Sequence, residues 1–139
     1  MFGAQPILIV EDETLIAMCL ADAVAELGGK VLGPVSTVRE ALEILDSQVV
    51  AAAILDSRLR DRDITPIALR LAGAGIPLVV HTGTGLPPEV AEKWPDLPVI
   101  MKPAASLTVV GRLLVEFQGL GRSDEHGLAD DCLLSQPAV

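Results

Sequence analysis

Five side chains with the chemistry to hold or accept a charged group stand at the ends of short apolar runs in this 139-residue sequence. Glu11 and Asp12 follow Ile7-Leu8-Ile9-Val10, and Asp56 follows Ala51-Ala52-Ala53-Ile54-Leu55. Thr82 comes just beyond Leu78-Val79-Val80, and Lys102 follows Val99-Ile100-Met101. A continuous apolar run bounded by polar residues fits a strand buried on both faces, as in parallel sheets. Ligands of such sheets sit beyond the carboxyl ends of the strands. With strands one and three as neighbours, three carboxylates meet at that rim. Two like charges 4 Å apart repel by roughly 4 kcal/mol at an effective dielectric of about 20. A proton or a cation must relieve that repulsion. Oxygen-only donors with room for water suit Mg²⁺. A hydroxyl and an ammonium opposite them suit the oxygens of a phosphoryl group, so the set fits phosphoryl transfer to Asp56 as nucleophile.

The elements that would position these groups alternate regularly. Ile16, Leu20, Ala23 and Leu27 recur at helical spacing after the first strand, and Gly28-Gly29 ends that helix. Lys30 to Val35 reads as a second, weaker strand. Thr37-Val38-Arg39-Glu40 matches a capping box, with Val38, Ala41, Leu42 and Leu45 on one helical face. Thr65-Pro66 opens a third helix carrying Ile67, Ala68 and Leu71 inward. Pro88 to Trp94 leaves room for two turns. Ser106 is expected to cap a last helix, with Leu107, Val110, Leu114 and Phe117 on its stripe. Five strands alternating with five helices predict a doubly wound parallel α/β sheet in the flavodoxin-like order 2-1-3-4-5, helices on both faces. The predicted division is a loose lead-in at 1–5, one domain at 6–118, and a flexible or weakly docked tail at 119–139, where the glycine-rich, polar sequence loses the apolar period.

At this point the chain resembles the receiver domains of two-component response regulators, from about Pro6 to Phe117. The matching pieces are Ile-Val-Glu11-Asp12, Ile-Leu-Asp56, His-Thr82-Gly and Met-Lys102-Pro103, one per strand end and in that order. The resemblance implies that Asp56 accepts a phosphoryl group from a histidine kinase or a histidine phosphotransfer protein. It implies Mg²⁺ bound by Glu11, Asp12, Asp56 and the backbone carbonyl of Arg58, and phosphoryl oxygens bound by Thr82 and Lys102. Receivers often carry a rotating aromatic ring in the fifth strand. Here that place is Val99, and the chain has no tyrosine. The stretch His81-Thr82-Gly83-Thr84-Gly85 is similar to the Phe-Ala-Thr-Gly-Tyr variant of the family, with His and Thr replacing its aromatics. A stand-alone receiver signals by protein contact or acts as a phosphate sink, catalysing only its own phosphorylation and dephosphorylation. The expected partners are the phosphoryl donor, a downstream protein and, in some receivers, a second copy of the chain.

A different class also fits part of the pattern. Small Mg²⁺-dependent phosphohydrolases of haloacid-dehalogenase-like type use Asp, Thr and Lys at strand ends. Their nucleophile stands after the first strand as Asp-x-Asp, and this chain reads Asp12-Glu13-Thr14 there.

Composition sets the remaining bounds. Half the residues are apolar, which with this length gives one domain a real core. The formal net charge of −9 argues against sequence-independent binding to nucleic acid or anionic membrane, since phosphates need basic residues to displace counterions. Neither a signal peptide nor a membrane-length apolar run is read. Cys19 and Cys132 have no metal-like spacing, and Cys19 is expected as a buried thiol on the first helix's apolar stripe. With no disulfide framework, a cytoplasmic setting is expected.

Overall fold

The computed structural model describes residues 1–122. Its elements run β1 (Pro6–Val10), α1 (Thr14–Glu26), β2 (Lys30–Val35), α2 (Val38–Ser47), β3 (Ala52–Leu55), α3 (Thr65–Gly73), β4 (Leu78–Thr82), α4 (Pro88–Lys93), β5 (Val99–Met101) and α5 (Ser106–Arg122). The five strands form one parallel sheet in the order β2-β1-β3-β4-β5. The apolar runs are continuous because both faces are covered. Leu8, Val10, Ala53, Leu55 and Val80 pack with Val38, Ile67, Leu71 and Val90 of α2, α3 and α4. Ile7, Ile9, Ile54 and Val79 pack with Leu20, Val24, Val109 and Leu113 of α1 and α5. No helix among the described residues is long and apolar enough to cross a membrane.

Helix ends follow local chemistry. Gly28 adopts a positive φ of 85° after α1, and the N–H groups of Gly28 and Gly29 turn back to the carbonyls of Ala25 and Val24. That is a Schellman stop, and glycine is the residue that takes the left-handed angle without cost. A Cβ on Gly29 would stand 2.8 Å from Val24 Cγ1 and 2.9 Å from Ile7 Cγ1, so the second glycine is fixed by packing.

The start of α2 is more heavily capped than its sequence implies. Thr37 Oγ1 accepts from the Glu40 N–H at 3.1 Å, as a capping box requires. Glu40 reaches one residue further back than expected, to the Ser36 N–H. Asp61, in the loop after β3, accepts from the N–H groups of Val38 at 2.9 Å and Arg39 at 3.1 Å. The Val38 amide above all holds the Asp61 carboxyl below its ordinary value. A folded pKa below the unfolded one adds stability above the unfolded value, lost as pH falls through the folded one. Asp61→Ala is therefore expected to lower the melting temperature by a few degrees at neutral pH, with the difference from the parent closing in acid. Thermal melts of both proteins at pH 7 and pH 3 check this.

Several expectations are corrected. Cys19 is exposed. The core-facing residues of α1 are Ala17, Leu20, Ala23 and Val24, so Cys19 lies on the outer flank of that stripe. Leu107 is half exposed, because α5 buries Val109, Val110 and Leu113 instead. Ser106 begins α5 rather than capping it, and the Ala105 carbonyl accepts the first turn's N–H groups. Residues 1–5 are exposed apart from Phe2. Phe2 is buried, its N–H bonds the Leu27 carbonyl, and its ring lies 5.5 Å from that of Phe117. Helix α5 continues through the glycine-rich stretch to Arg122, past the expected limit at 118. The rest of the expected tail, with Cys132, lies outside the described residues.

Candidate functional site

The sheet register carries the chemistry-bearing residues to one rim. Val10 stands opposite Leu55 in the β1–β3 pairing, and Thr82 opposite Met101 in the β4–β5 pairing. The ladder extends one residue past the strands. The Asp56 N–H bonds the Val10 carbonyl at 2.9 Å, the Glu11 N–H bonds Val35, and the Lys102 N–H bonds Thr82. The backbones of Glu11, Asp56 and Lys102 are thereby fixed by the sheet itself, which is the rigid footing a reacting group needs.

Carboxylate oxygens of Glu11, Asp12 and Asp56 lie within 4.8 Å of one another. Lys102 Nζ reaches into the group, 3.3 Å from Asp56 Oδ2, 3.3 Å from Glu11 Oε1 and 3.6 Å from Glu13 Oε1. One ammonium thus faces three of these four carboxylates. Burial pushes the Glu11 carboxyl up to about 7, with the Asp56 charge adding to the shift and the Glu13 amide and Lys102 opposing it. Burial disfavours the charged form of Lys102, but Glu11 and Asp56 outweigh it and raise its pKa.

The donor set fits a hard divalent cation. All three side chains offer oxygen. Glu11 Oε2 accepts from the Glu13 N–H at 3.1 Å, while Oε1 is buried without a hydrogen bond although Lys102 Nζ stands near it, off the donor direction. The carboxylates of Glu11 and Asp12 open into a cavity of 320 Å³ that Pro34, Glu40 and Arg60 also line. Arg58, two residues after Asp56, pairs with Asp63 in an isolated antiparallel bridge. The bridge bonds run from Leu59 N–H to Arg62 and from Ile64 N–H to Ser57, so the Arg58 carbonyl is not used by it.

Thr82 is fully buried, and its hydroxyl sits in a compact loop. Thr82 Oγ1 accepts from the N–H groups of Thr84 at 3.0 Å and Gly85 at 3.2 Å. It also lies 2.5 Å from Ser57 Oγ. Ser57, which the sequence did not single out, donates its own N–H to Asp56 Oδ1 at 2.7 Å. Its signal was available: it follows Asp56 directly and is the only hydroxyl between residues 57 and 63. Val99 is half-buried against the core face shared by α2, α3 and α4. His81 is buried with both ring nitrogens unpartnered, and burial first, then Lys102, lowers its pKa, which favours the neutral imidazole. It floors a groove of 610 Å³ between α1 and the loop before α5, lined by Leu15, Ile16, Cys19 and Pro103.

No family model and no curated protein matches this sequence. Solved structures do. The chain is 39% identical to SdrG from Sphingomonas melonis Fr1, over 85% of this chain and 99% of that one, with a TM-score of 0.69. It is 40% identical to a structure described as the BeF3-activated conformation of SdrG from Pseudomonas melonis Fr1, over 84% and 98%, with a TM-score of 0.63. It shares the fold of a CheY-like response regulator receiver domain protein from Methanospirillum hungatei JF-1, at 20% identity over 86% and 98% and a TM-score of 0.75. With that fold, that sequence identity and that coverage, the chain belongs to the CheY-like receiver domains of response regulators.

Proposed function

We propose that this receiver accepts a phosphoryl group on Asp56 from a phosphohistidine of a kinase or a phosphotransfer protein. The convergence of Glu11, Asp12, Asp56 and Lys102 at one sheet rim carries the reading. A carboxylate oxygen of Asp56 attacks phosphorus, and the phosphorus–nitrogen bond breaks. The bonding pair leaves with the imidazole, and an acyl phosphate forms on Asp56. Glu11, Asp12, Asp56 and the Arg58 carbonyl would hold Mg²⁺, which supplies charge neutralisation at the transferring oxygens. Lys102, 3.3 Å from Asp56 Oδ2, supplies the second positive charge, and Thr82 supplies a hydroxyl donor.

The domain acts through protein contacts rather than on a small substrate. Val99 offers no ring to rotate, so the response runs through movement of the loop from Gly83 to Gly85 and the short α4. The receiver unit in this reading covers residues 6–118 with the remaining turn of α5. The phosphohydrolase alternative has little support: its second carboxylate would fall at Thr14, a residue without one, which is exposed and opens α1. Incubation with Mg²⁺ and a small acyl-phosphate donor, followed by intact mass and site mapping, tests the proposal. A gain of one phosphoryl group mapped to Asp56 supports it, and turnover of simple phosphate esters favours the alternative.

A further inference from the structure

We propose that the Ser57 hydroxyl is a latch that holds the Thr82 hydroxyl in its resting position and must release it when Asp56 is phosphorylated. The inference rests on the phosphoacceptor reading and adds to it a positioning residue acting through Thr82.

The proton count gives the direction of the contact. A threonine hydroxyl has one hydrogen to donate and two lone pairs to accept with. The N–H groups of Thr84 and Gly85 occupy both lone pairs of Thr82 Oγ1. Thr82 must then be the donor toward Ser57 Oγ, its nearest acceptor. The other acceptors near it, Thr84 Oγ1 and the Gly85 carbonyl, each stand 3.4 Å away. Ser57 Oγ also lies 3.3 Å from Thr84 Oγ1, a second hydroxyl contact within the cluster. The cluster is almost sealed from water, with Ser57 1% exposed and Thr82 0%, so each bond is made within the protein or lost. Gly85 closes the loop at a φ of 93°, a left-handed angle suited to glycine, which turns its N–H back to Thr82.

Among the described residues, Thr82 makes no hydrogen bond to Asp56. Asp56 Oδ1 is held by the Ser57 N–H, and Oδ2 by Lys102. A phosphoryl oxygen on Asp56 that draws the Thr82 proton must therefore compete with Ser57 Oγ. If Thr82 swings away, it also stops accepting from Thr84 and Gly85, and the β4–α4 loop loses two anchors together. Ser57 thus couples the phosphoacceptor to the loop through its side chain, while its backbone N–H orients Asp56 independently. Substituting the side chain separates the two roles.

The test uses beryllofluoride with Mg²⁺ as the phosphoryl mimic on the full chain. Ser57→Ala removes the resting acceptor and should bind the mimic about 5- to 10-fold more tightly than the parent. Ser57→Cys keeps the volume with a poor acceptor and should move the same way if the alanine variant folds badly. In a Thr82→Ala background the Ser57 effect should vanish, since the two residues act as one unit. In the metal-free protein, Ser57→Ala should speed amide exchange at Thr84 and Gly85. Equal or weaker binding of the mimic by a folded Ser57 variant overturns the latch, as does unchanged exchange at those two amides. Failure of the parent to bind the mimic through Asp56 instead defeats the phosphoacceptor reading, and the exchange measurement still decides the latch.

Discussion

Asparagine at position 56 is expected to end phosphoryl acceptance completely while leaving the metal-free fold intact. An amide is nearly the same size as a carboxylate, and its oxygen can still accept from the Ser57 N–H that now bonds Oδ1 at 2.7 Å. The backbone bond from the residue 56 N–H to the Val10 carbonyl is untouched. What disappears is the anionic oxygen, and with it the nucleophile. One of the carboxylates gathered about Lys102 also loses its charge, so repulsion within the pocket falls. Glu11 should then ionise more readily, because the Asp56 charge is one of the causes that raise its pKa. Intact mass after incubation with Mg²⁺ and an acyl-phosphate donor should show no added phosphoryl group in Asp56→Asn. A thermal melt should show a midpoint no lower than the parent's. Labelling of the variant at any residue contradicts the assignment of Asp56.

The metal-free protein should lose stability as pH rises through the window from 4.5 to about 7, and Mg²⁺ should reverse the loss. Burial raises the Glu11 carboxyl from 4.5 to about 7, so within that window the folded state binds the proton more readily than the unfolded chain. A folded pKa above the unfolded one gives a contribution fully present below pH 4.5 and lost as pH climbs past 7. One pKa unit corresponds to about 1.4 kcal/mol, so a shift from 4.5 to about 7 sets an upper bound of roughly 3.5 kcal/mol on the swing. Glu11 is only 3% exposed, so solvent screens little of it. A cation needs the ionised carboxylate, hence Mg²⁺ affinity should rise toward pH 7 and level off above it. Melts at pH 5.5 and 8, each with and without saturating Mg²⁺, measure both effects. Glu11→Gln should flatten the pH dependence and weaken the response to the metal. An unchanged pH slope in that variant would place the buried proton elsewhere.

The strands and their rim were legible because both signals are local. A strand covered on both faces must be apolar at every position, and β3, fully buried from Ala52 to Leu55, reads that way. The first polar residue after each such strand is then placed by the ladder, and this brought Glu11, Asp56 and Lys102 together. Helix faces were less legible. Leu20 and Cys19 are adjacent in an apolar helix, and only the partner surface decides which one faces inward. Phe2 looked like part of a lead-in because its partner Phe117 is 115 residues away, read from the numbering. Asp61 was hidden for the same reason, since its bonds go to α2, more than 20 residues earlier. The Ser57–Thr82 contact joins two strand ends, and no spacing rule within one segment could announce it.

The two-sided core has a consequence for synthesis of the chain. One face of the sheet is covered by α2, α3 and α4, all of which leave the ribosome before or just after the strands they shield. The other face carries Ile7, Ile9, Ile54 and Val79, and half its cover comes from Val109, Val110 and Leu113 in the last helix. A nascent chain ending before Ser106 therefore presents a sheet with one apolar face only half covered, by α1, however complete its strands. Parallel strands also pair late, because each contact closes a long loop. Completion of that face thus waits on Val109, Val110 and Leu113, and until they emerge part of its apolar surface stays open to water.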